Sequence, residues 1–167
     1  MTVDEIQQLE QEWVQRDVPH PPDCFGWAPA PIGLFTELLQ VAVEHGAGGR
    51  FLDVGSGIGT KLLLAQDAGF DVEGVEQLDE LAAAADEHGL TTHRADARGW
   101  DGYADYDVVY LNHPLANTEF ETPFEQWLHQ QLKPGAVLIQ VNDCVAPDWP
   151  GLSVNREAWW GVWHRPL

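Results

Sequence analysis

Hydrophobic residues recur along this chain with two different periods, and the changes between them mark its elements. Ile6, Leu9, Trp13 and Val14 space as one side of a short polar helix over residues 4–16. From 17 to 31 the periodicity disappears. Five prolines, Pro19, Pro21, Pro22, Pro29 and Pro31, forbid a helix there and predict an extended arm lying over the body of the protein. A helical pattern returns from Pro31 to His45, with Leu34, Leu38, Leu39 and Val43 facing inward. Pro31 suits its first turn, and the glycines from Gly46 to Gly49 suit its end.

Beyond residue 50, strand and helix alternate. Phe51 to Val54 is a short apolar strand ending in glycines, Ile58 to Ala68 a helix, and Asp71 to Val75 the second strand. Asp79 caps a helix running to His88, Leu90 to Arg94 forms a third strand, and Tyr106 to Leu111 a fourth. Apart from Asp107 the fourth is apolar, as a strand covered on both faces should be. Thr122-Pro123-Phe124-Glu125 reads as cap, first-turn proline and early acid of the next helix, which Lys133-Pro134-Gly135 ends before a fifth strand from Ala136 to Val141. Such repeated units imply a parallel sheet with helices on both faces. About fifteen residues, including Pro147, Pro150 and Gly151, separate that strand from Glu157–His164. They leave no room for a crossover helix, so the final strand is expected to run antiparallel.

Composition adds constraints. Of 167 residues, 44% are hydrophobic, enough for one packed core and too many for a disordered chain. Against 27 Asp and Glu stand 8 Lys and Arg, a net charge of −19 spread evenly along the sequence. Such a surface repels phosphate backbones and anionic lipid, which disfavours nucleic-acid partners and leaves small neutral or cationic substrates open. It also fits plain solubility or a salty source. Cys24 and Cys144 form no metal spacing and fit a reducing compartment. No signal peptide and no membrane-spanning run is apparent, so a cytoplasmic location is expected.

The candidate chemistry starts at Asp53-Val54-Gly55-Ser56-Gly57-Ile58-Gly59-Thr60, where a strand runs through a glycine turn into a helix. Glycines admit a ligand close to the backbone, and the helix start offers unpaired N–H groups. The spacing is G-x-G-x-G rather than the G-x-G-x-x-G of dehydrogenases, which makes a nicotinamide enzyme the weaker reading. With Asp53 two residues ahead, the loop resembles the first motif of class I S-adenosylmethionine-dependent methyltransferases. Glu76 at the end of the second strand, Asp96 after the third, Asn112 after the fourth and Leu132-Lys133-Pro134-Gly135 before the fifth stand at the family's further positions.

That resemblance implies a single methyltransferase-like domain over residues 1–167. Its fold would be α/β: a Rossmann-like parallel sheet with helices on both faces and an antiparallel final strand. Residues 1–30 would form the N-terminal helix and arm, 31–142 the cofactor-binding core, and 143–167 a Trp-rich tail with the last strand. The cofactor implied is S-adenosyl-L-methionine, held by Asp53, Gly55, Ser56, Gly57, Gly59, Glu76, Gln77, Asp96, Ala97 and Asn112, with no metal. In this picture Glu76 takes the ribose hydroxyls, while Asp96 and the Ala97 N–H meet adenine. Asp53 accepts the loop's backbone N–H groups, and Lys61 is a surface residue.

Asn112 and His113 are the catalytic candidates, His113 as a general base. Asn112-His113-Pro114-Leu115 lacks the second proline and the aromatic of amino-methylating relatives, which puts transfer to a nucleobase or glutamine amine in doubt. The acceptor expected is a small molecule or a protein side chain, and the alternative is a non-catalytic acidic binding or assembly protein that keeps the fold. Of the eight tryptophans, Trp27 and Trp100 are expected near the pocket, whereas Trp159, Trp160 and Trp163 are expected to pack the last strand.

Overall fold

The computed structural model describes residues 1–167. Seven strands form one sheet in the order β3-β2-β1-β4-β5-β7-β6. They are β1 (Arg50–Val54), β2 (Asp71–Glu76), β3 (Thr91–Arg94), β4 (Val108–Asn112), β5 (Val137–Val141), β6 (Gly151–Asn155) and β7 (Trp160–His164). The first five are parallel, and β7 runs antiparallel to both β5 and β6. The expected reversed strand is therefore present, but it is not the edge. A hairpin brings β6 outside it, a strand the sequence pattern did not reveal because Pro150 and Gly151 read only as breakers.

Alternation along the strands sorts the two cores. Phe51, Val72, Val108, Tyr110, Val137 and Ile139 face α2 (Ile32–Glu44) and α3 (Thr60–Asp67), joined by Ala85 of α4 (Asp79–Glu87). Leu52, Val54, Val75, Val109, Leu111 and Leu138 face the other side, covered by Phe124 and Leu128 of α5 (Thr118–Gln131) and by Tyr103 and Tyr106. Two 3-10 turns, Ala97–Gly99 and Gly102–Asp105, stand there between β3 and β4. No helix is long and apolar enough to cross a membrane.

Several local expectations are corrected. In α2 the inward residues are Phe35, Leu38, Leu39 and Ala42; Leu38 and Leu39 are buried as expected, while Leu34 is half-buried and Val43 exposed, their places taken by Phe35 and Ala42. Pro31 is the N-cap of α2 rather than its first-turn residue. Asp79 lies in the first turn of α4 behind Leu78, so its charge faces the helix N-terminus without a capping bond. Helix α5 starts at Thr118, because the Asn117 side chain accepts the N–H groups of Glu119 and Phe120 at 3.0 and 3.3 Å. Pro123 then sits inside the helix, which lacks one backbone bond there.

The N-terminal helix α1 (Val3–Val14) is closed by a capping box between Thr2 and Glu5. It buries Ile6 and Trp13, leaves Val14 exposed, and also buries Glu10. Glu10 accepts from the Thr60 hydroxyl at 2.7 Å and from Lys61 Nζ at 2.6 Å. Lys61 is thus no surface residue, because α1 covers the first turn of α3. Its side chain is 5% exposed and that of Glu10 10%. Removing one partner of a buried pair leaves an uncompensated charge. Lys61→Ala is expected to destabilise the protein by about 3–5 kcal/mol in urea unfolding, and Glu10→Leu/Lys61→Met to recover most of that loss. A cost below about 1 kcal/mol, the level of a surface pair, would show that α1 is held by packing alone.

Candidate functional site

The carboxyl ends of β1, β2 and β4 open into a pocket walled on its far side by the arm residues Cys24 to Ala30. It lies where the strand order reverses between β1 and β4, the usual binding crevice of an open α/β sheet.

The glycine loop forms one wall. Gly57 has φ 55°, and its missing side chain gives room to the Trp27 indole, which a Cβ would overlap. The Gly55 and Ser56 N–H groups donate to the Val75 carbonyl at 2.8 and 3.1 Å, so Asp53 does not serve them as expected. The Gly57 N–H donates to Glu76 Oε2 at 2.8 Å, and the Leu78 N–H to its Oε1 at 2.9 Å. Glu76 is thereby fixed across two loops. Burial pushes its carboxyl above the ordinary value, and those N–H bonds pull it back. Burial also pushes Asp53 up to about 7, against the attraction of Lys61. Tyr110, on β4, lines the same pocket with a buried hydroxyl that has no partner.

Farther along, the Gln77 amide meets the Cys24 thiol. Asp96 caps the Ala97–Gly99 turn by accepting the Arg98 N–H at 2.9 Å, and it pairs with the Arg98 guanidinium, which also reaches Asp23 at 2.6 Å. The guanidinium holds the Asp96 carboxyl below its ordinary value. Ala97 lines the pocket, with its carbonyl accepting the Tyr103 hydroxyl. Trp27 lines it as expected. Trp100 does not; it packs against Tyr103 and Tyr106 on the α5 side of the sheet. Trp163 is buried as anticipated, while Trp159 is 55% exposed.

At the end of β4, Asn112 donates to the Ala28 carbonyl at 3.0 Å and accepts from the Asn142 amide at 2.7 Å. His113 Nδ1 lies 3.0 Å from the Asn142 carbonyl. The corner therefore has members that sequence reasoning missed. Asn142 directly follows β5, a strand end on the same edge, and that position was the available signal. Phe25, edge-on to His113 at 5.9 Å, carried none.

Beneath the corner, Glu121 accepts the Leu115 N–H at 2.8 Å, and Glu125 accepts those of Cys144 and Val145 at 3.0 and 2.7 Å. Both are buried one helical turn apart. The expectation of Glu125 as a helix-start acid fails for the same reason as that for Pro123, the earlier start of α5.

The chain matches the model of a methyltransferase domain over residues 30–164, and it belongs to that family. Among solved structures it is similar to an RNA methyltransferase from Salinibacter ruber in complex with S-adenosyl-L-homocysteine. The two are 21% identical with a TM-score of 0.66, over 83% of this chain and 94% of that one. It is also similar to CalS10, a SAM-bound amino pentose methyltransferase from Micromonospora echinaspora (20% identity, TM-score 0.57, 89% and 58% coverage), and to TehB from Haemophilus influenzae (16%, 0.62, 84% and 64%). The chain spans less than two thirds of the last two, and identities this low establish the fold alone. None of the curated proteins matches the chain.

The buried acids set a pH dependence. Burial raises Glu121 and Glu125, and the charge of Glu125 on Glu121 and of Asp143 on Glu125 raises them further, so the pair keeps a proton at neutral pH. Unfolded, such groups ionise near 4.5. As pH rises from that value the unfolded chain loses protons that the native state retains, so stability falls until the native groups ionise. Glu121→Gln keeps the Leu115 bond and is expected to flatten this fall by about 1.4 kcal/mol per pH unit between about pH 5 and 7. Urea unfolding across that range measures it, and an unchanged slope would place the retained proton elsewhere.

Proposed function

We propose that this methyltransferase-family chain uses S-adenosyl-L-methionine and transfers its methyl group to a small molecule or a protein side chain. The observation that carries the reading is Glu76, a carboxylate fixed at the end of β2 by the Gly57 and Leu78 N–H groups. It keeps lone pairs toward the pocket, where two neighbouring ribose hydroxyls would find an acceptor. The other residues fit the group. Gly55 and Ser56 border the space for the methionine portion, with Asp53 and the unpartnered Tyr110 hydroxyl beside it, whereas Gly57 gives its space to Trp27 and Gly59 faces Leu90 and Ala85. Gln77, Asp96 and Ala97 line the nucleoside end. When bound, the sulfonium supplies an electrophilic methyl group and leaves as a neutral thioether. The protein's part is alignment, with Asn112 and His113 toward the acceptor.

Charge selects among acceptors. Lys61 is the only Lys or Arg lining the pocket, and Glu10 already pairs with it. With −19 over the whole chain, a phosphate backbone finds no complementary surface, so nucleic acid is not the acceptor in this reading. Calorimetry with S-adenosylmethionine tests the cofactor. Glu76→Ala is expected to weaken binding by about 1.5–3 kcal/mol, the worth of hydrogen bonds to a charged group. Asp96→Ala should cost less, since Arg98 already engages that carboxylate. Parent-like affinity in both variants would place the nucleoside elsewhere. Absence of binding by the parent would favour the non-catalytic acidic binding protein.

A further inference from the structure

Three residues other than glycine have left-handed backbone: His113 (φ 44°), Asn142 (φ 54°) and Trp159 (φ 56°). All three meet at one corner. His113 follows β4, Asn142 follows β5, and the carbonyl of Trp159, just before β7, accepts the Asp143 N–H at 3.1 Å. Strained backbone gathered in this way is held by its surroundings and marks sites that work.

The strain fixes a proton. A carbonyl oxygen only accepts, so the 3.0 Å contact with the Asn142 carbonyl puts the hydrogen on His113 Nδ1. Nε2 keeps its lone pair, and it has no partner in the protein. The Cys144 thiol lies 3.7 Å from Nδ1, and burial pushes it up to about 11, so it remains a thiol and does not compete as a base. Behind it stand Glu125, Glu121 and Asp143, the last paired with Arg156. On the pocket side the charged groups are Asp53, Glu76, Asp96 and Lys61, and the arm brings the Phe25 edge and the Cys24 thiol.

Arm and corner are stitched by Phe25 N–H to the Pro114 carbonyl at 3.0 Å, Ala116 N–H to the Asp23 carbonyl at 3.1 Å, and Asn112 to the Ala28 carbonyl at 3.0 Å. Phe25, Trp27, Pro29, Pro114 and Leu115 give the walls a flat, apolar character. Such walls suit a flat ring. A base with a fixed lone pair serves a nucleophile that must lose a proton, and a phenol, ionising near 10, lies within reach of an imidazole.

We propose that the corner takes a small, uncharged aromatic acceptor bearing a phenol-class hydroxyl, with His113 Nε2 as its base and Asn142 as the residue that positions that base. This rests on the reading of the chain as an S-adenosylmethionine-dependent methyltransferase. The imidazole closes the balance: as the acceptor oxygen bonds to the methyl carbon and the carbon–sulfur pair stays on sulfur, the phenol proton moves to Nε2 and then to water.

The test uses the full chain and three arms. Calorimetry with S-adenosylmethionine comes first; no binding fails the underlying reading, whereas binding without phenol methylation fails only this inference. Mass spectrometry then follows methyl transfer to a panel of one- and two-ring phenols that includes 2-naphthol, beside 2-naphthyl phosphate and cyclohexylamine. Product from phenols alone is expected. Product only from the amine, or from no phenol in the panel, overturns the proposal. His113→Gln should lower kcat at least about 100-fold, with cofactor affinity within about twofold.

The third arm needs no turnover. Nitrogen-15 NMR of the protein without ligand should show His113 protonated on Nδ1. Asn142→Ala keeps the backbone carbonyl but loses the Asn112 bond and sits poorly at φ 54°, so it should displace that carbonyl, shift the tautomer toward Nε2–H and lower kcat more than it raises KM. An Nε2–H tautomer in the parent, or an unchanged tautomer and kcat in Asn142→Ala, overturns the assignment.

Discussion

The structure depends on one buried carboxylate placed between two loops. Glu76 would be costly to bury alone, and the N–H groups of Gly57 and Leu78 offset that cost. The register of β1 on β2, Val54 opposite Val75, puts the next two loop donors on the Val75 carbonyl. With the loop pinned from both sides, the start of α3 has one position only. Thr60 and Lys61 then present a polar pair on which α1 docks through Glu10, and Gly57 presents the bare backbone on which Trp27 rests. Helix, arm and pocket wall all follow from the place of that carboxylate.

The two faces of the sheet divide the work. On the side of α2 and α3, β1 and β4 project Asp53 and Tyr110 among apolar neighbours, so polarity reaches into the core only beside the pocket. On the other side the cover between β3 and β4 is reduced to two short turns, and Trp100, Tyr103, Tyr106 and Trp127 supply by ring area what a helix would supply by length. Acids appear in both places with different partners. Glu73 on the surface of the sheet is held down by Arg50, Tyr106 and His93, whereas Glu121 and Glu125 have only backbone donors and each other. A net charge of −19 thus hides two populations, and only the buried one resists ionisation.

The strands were legible in the sequence because a strand buried on both faces is a short apolar run with breakers at its ends, and Phe51–Val54 and Val108–Leu111 have no competing reading. The glycine loop and the strand-end positions of Glu76, Asp96, Asn112 and His113 were legible for the same local reason. What escaped depends on pieces far apart in the chain. Lys61 is buried only because residues 3–14 lie over it. Asn142 matters only because β5 lies beside β4 in register, and Phe25 only because the arm is stitched to residues 114–116. The start of α5 was misplaced because Thr122-Pro123 imitates a helix start five residues after a true one, and no propensity separates the two without the Asn117 bonds.

Placing β7 between β5 and β6 has a consequence for the making of the chain. The parallel strands can pair in the order in which they appear, but the outer edge of β5 is paired only by residues 160–164. At about 5–20 residues per second, β5 leaves the ribosome a second or more before its partner. During that interval an apolar strand shows an open edge, the template on which chains misassociate. Like charge along every segment keeps neighbouring nascent copies apart in that interval, so the acidity that looks like a property of the finished surface also guards the unfinished sheet.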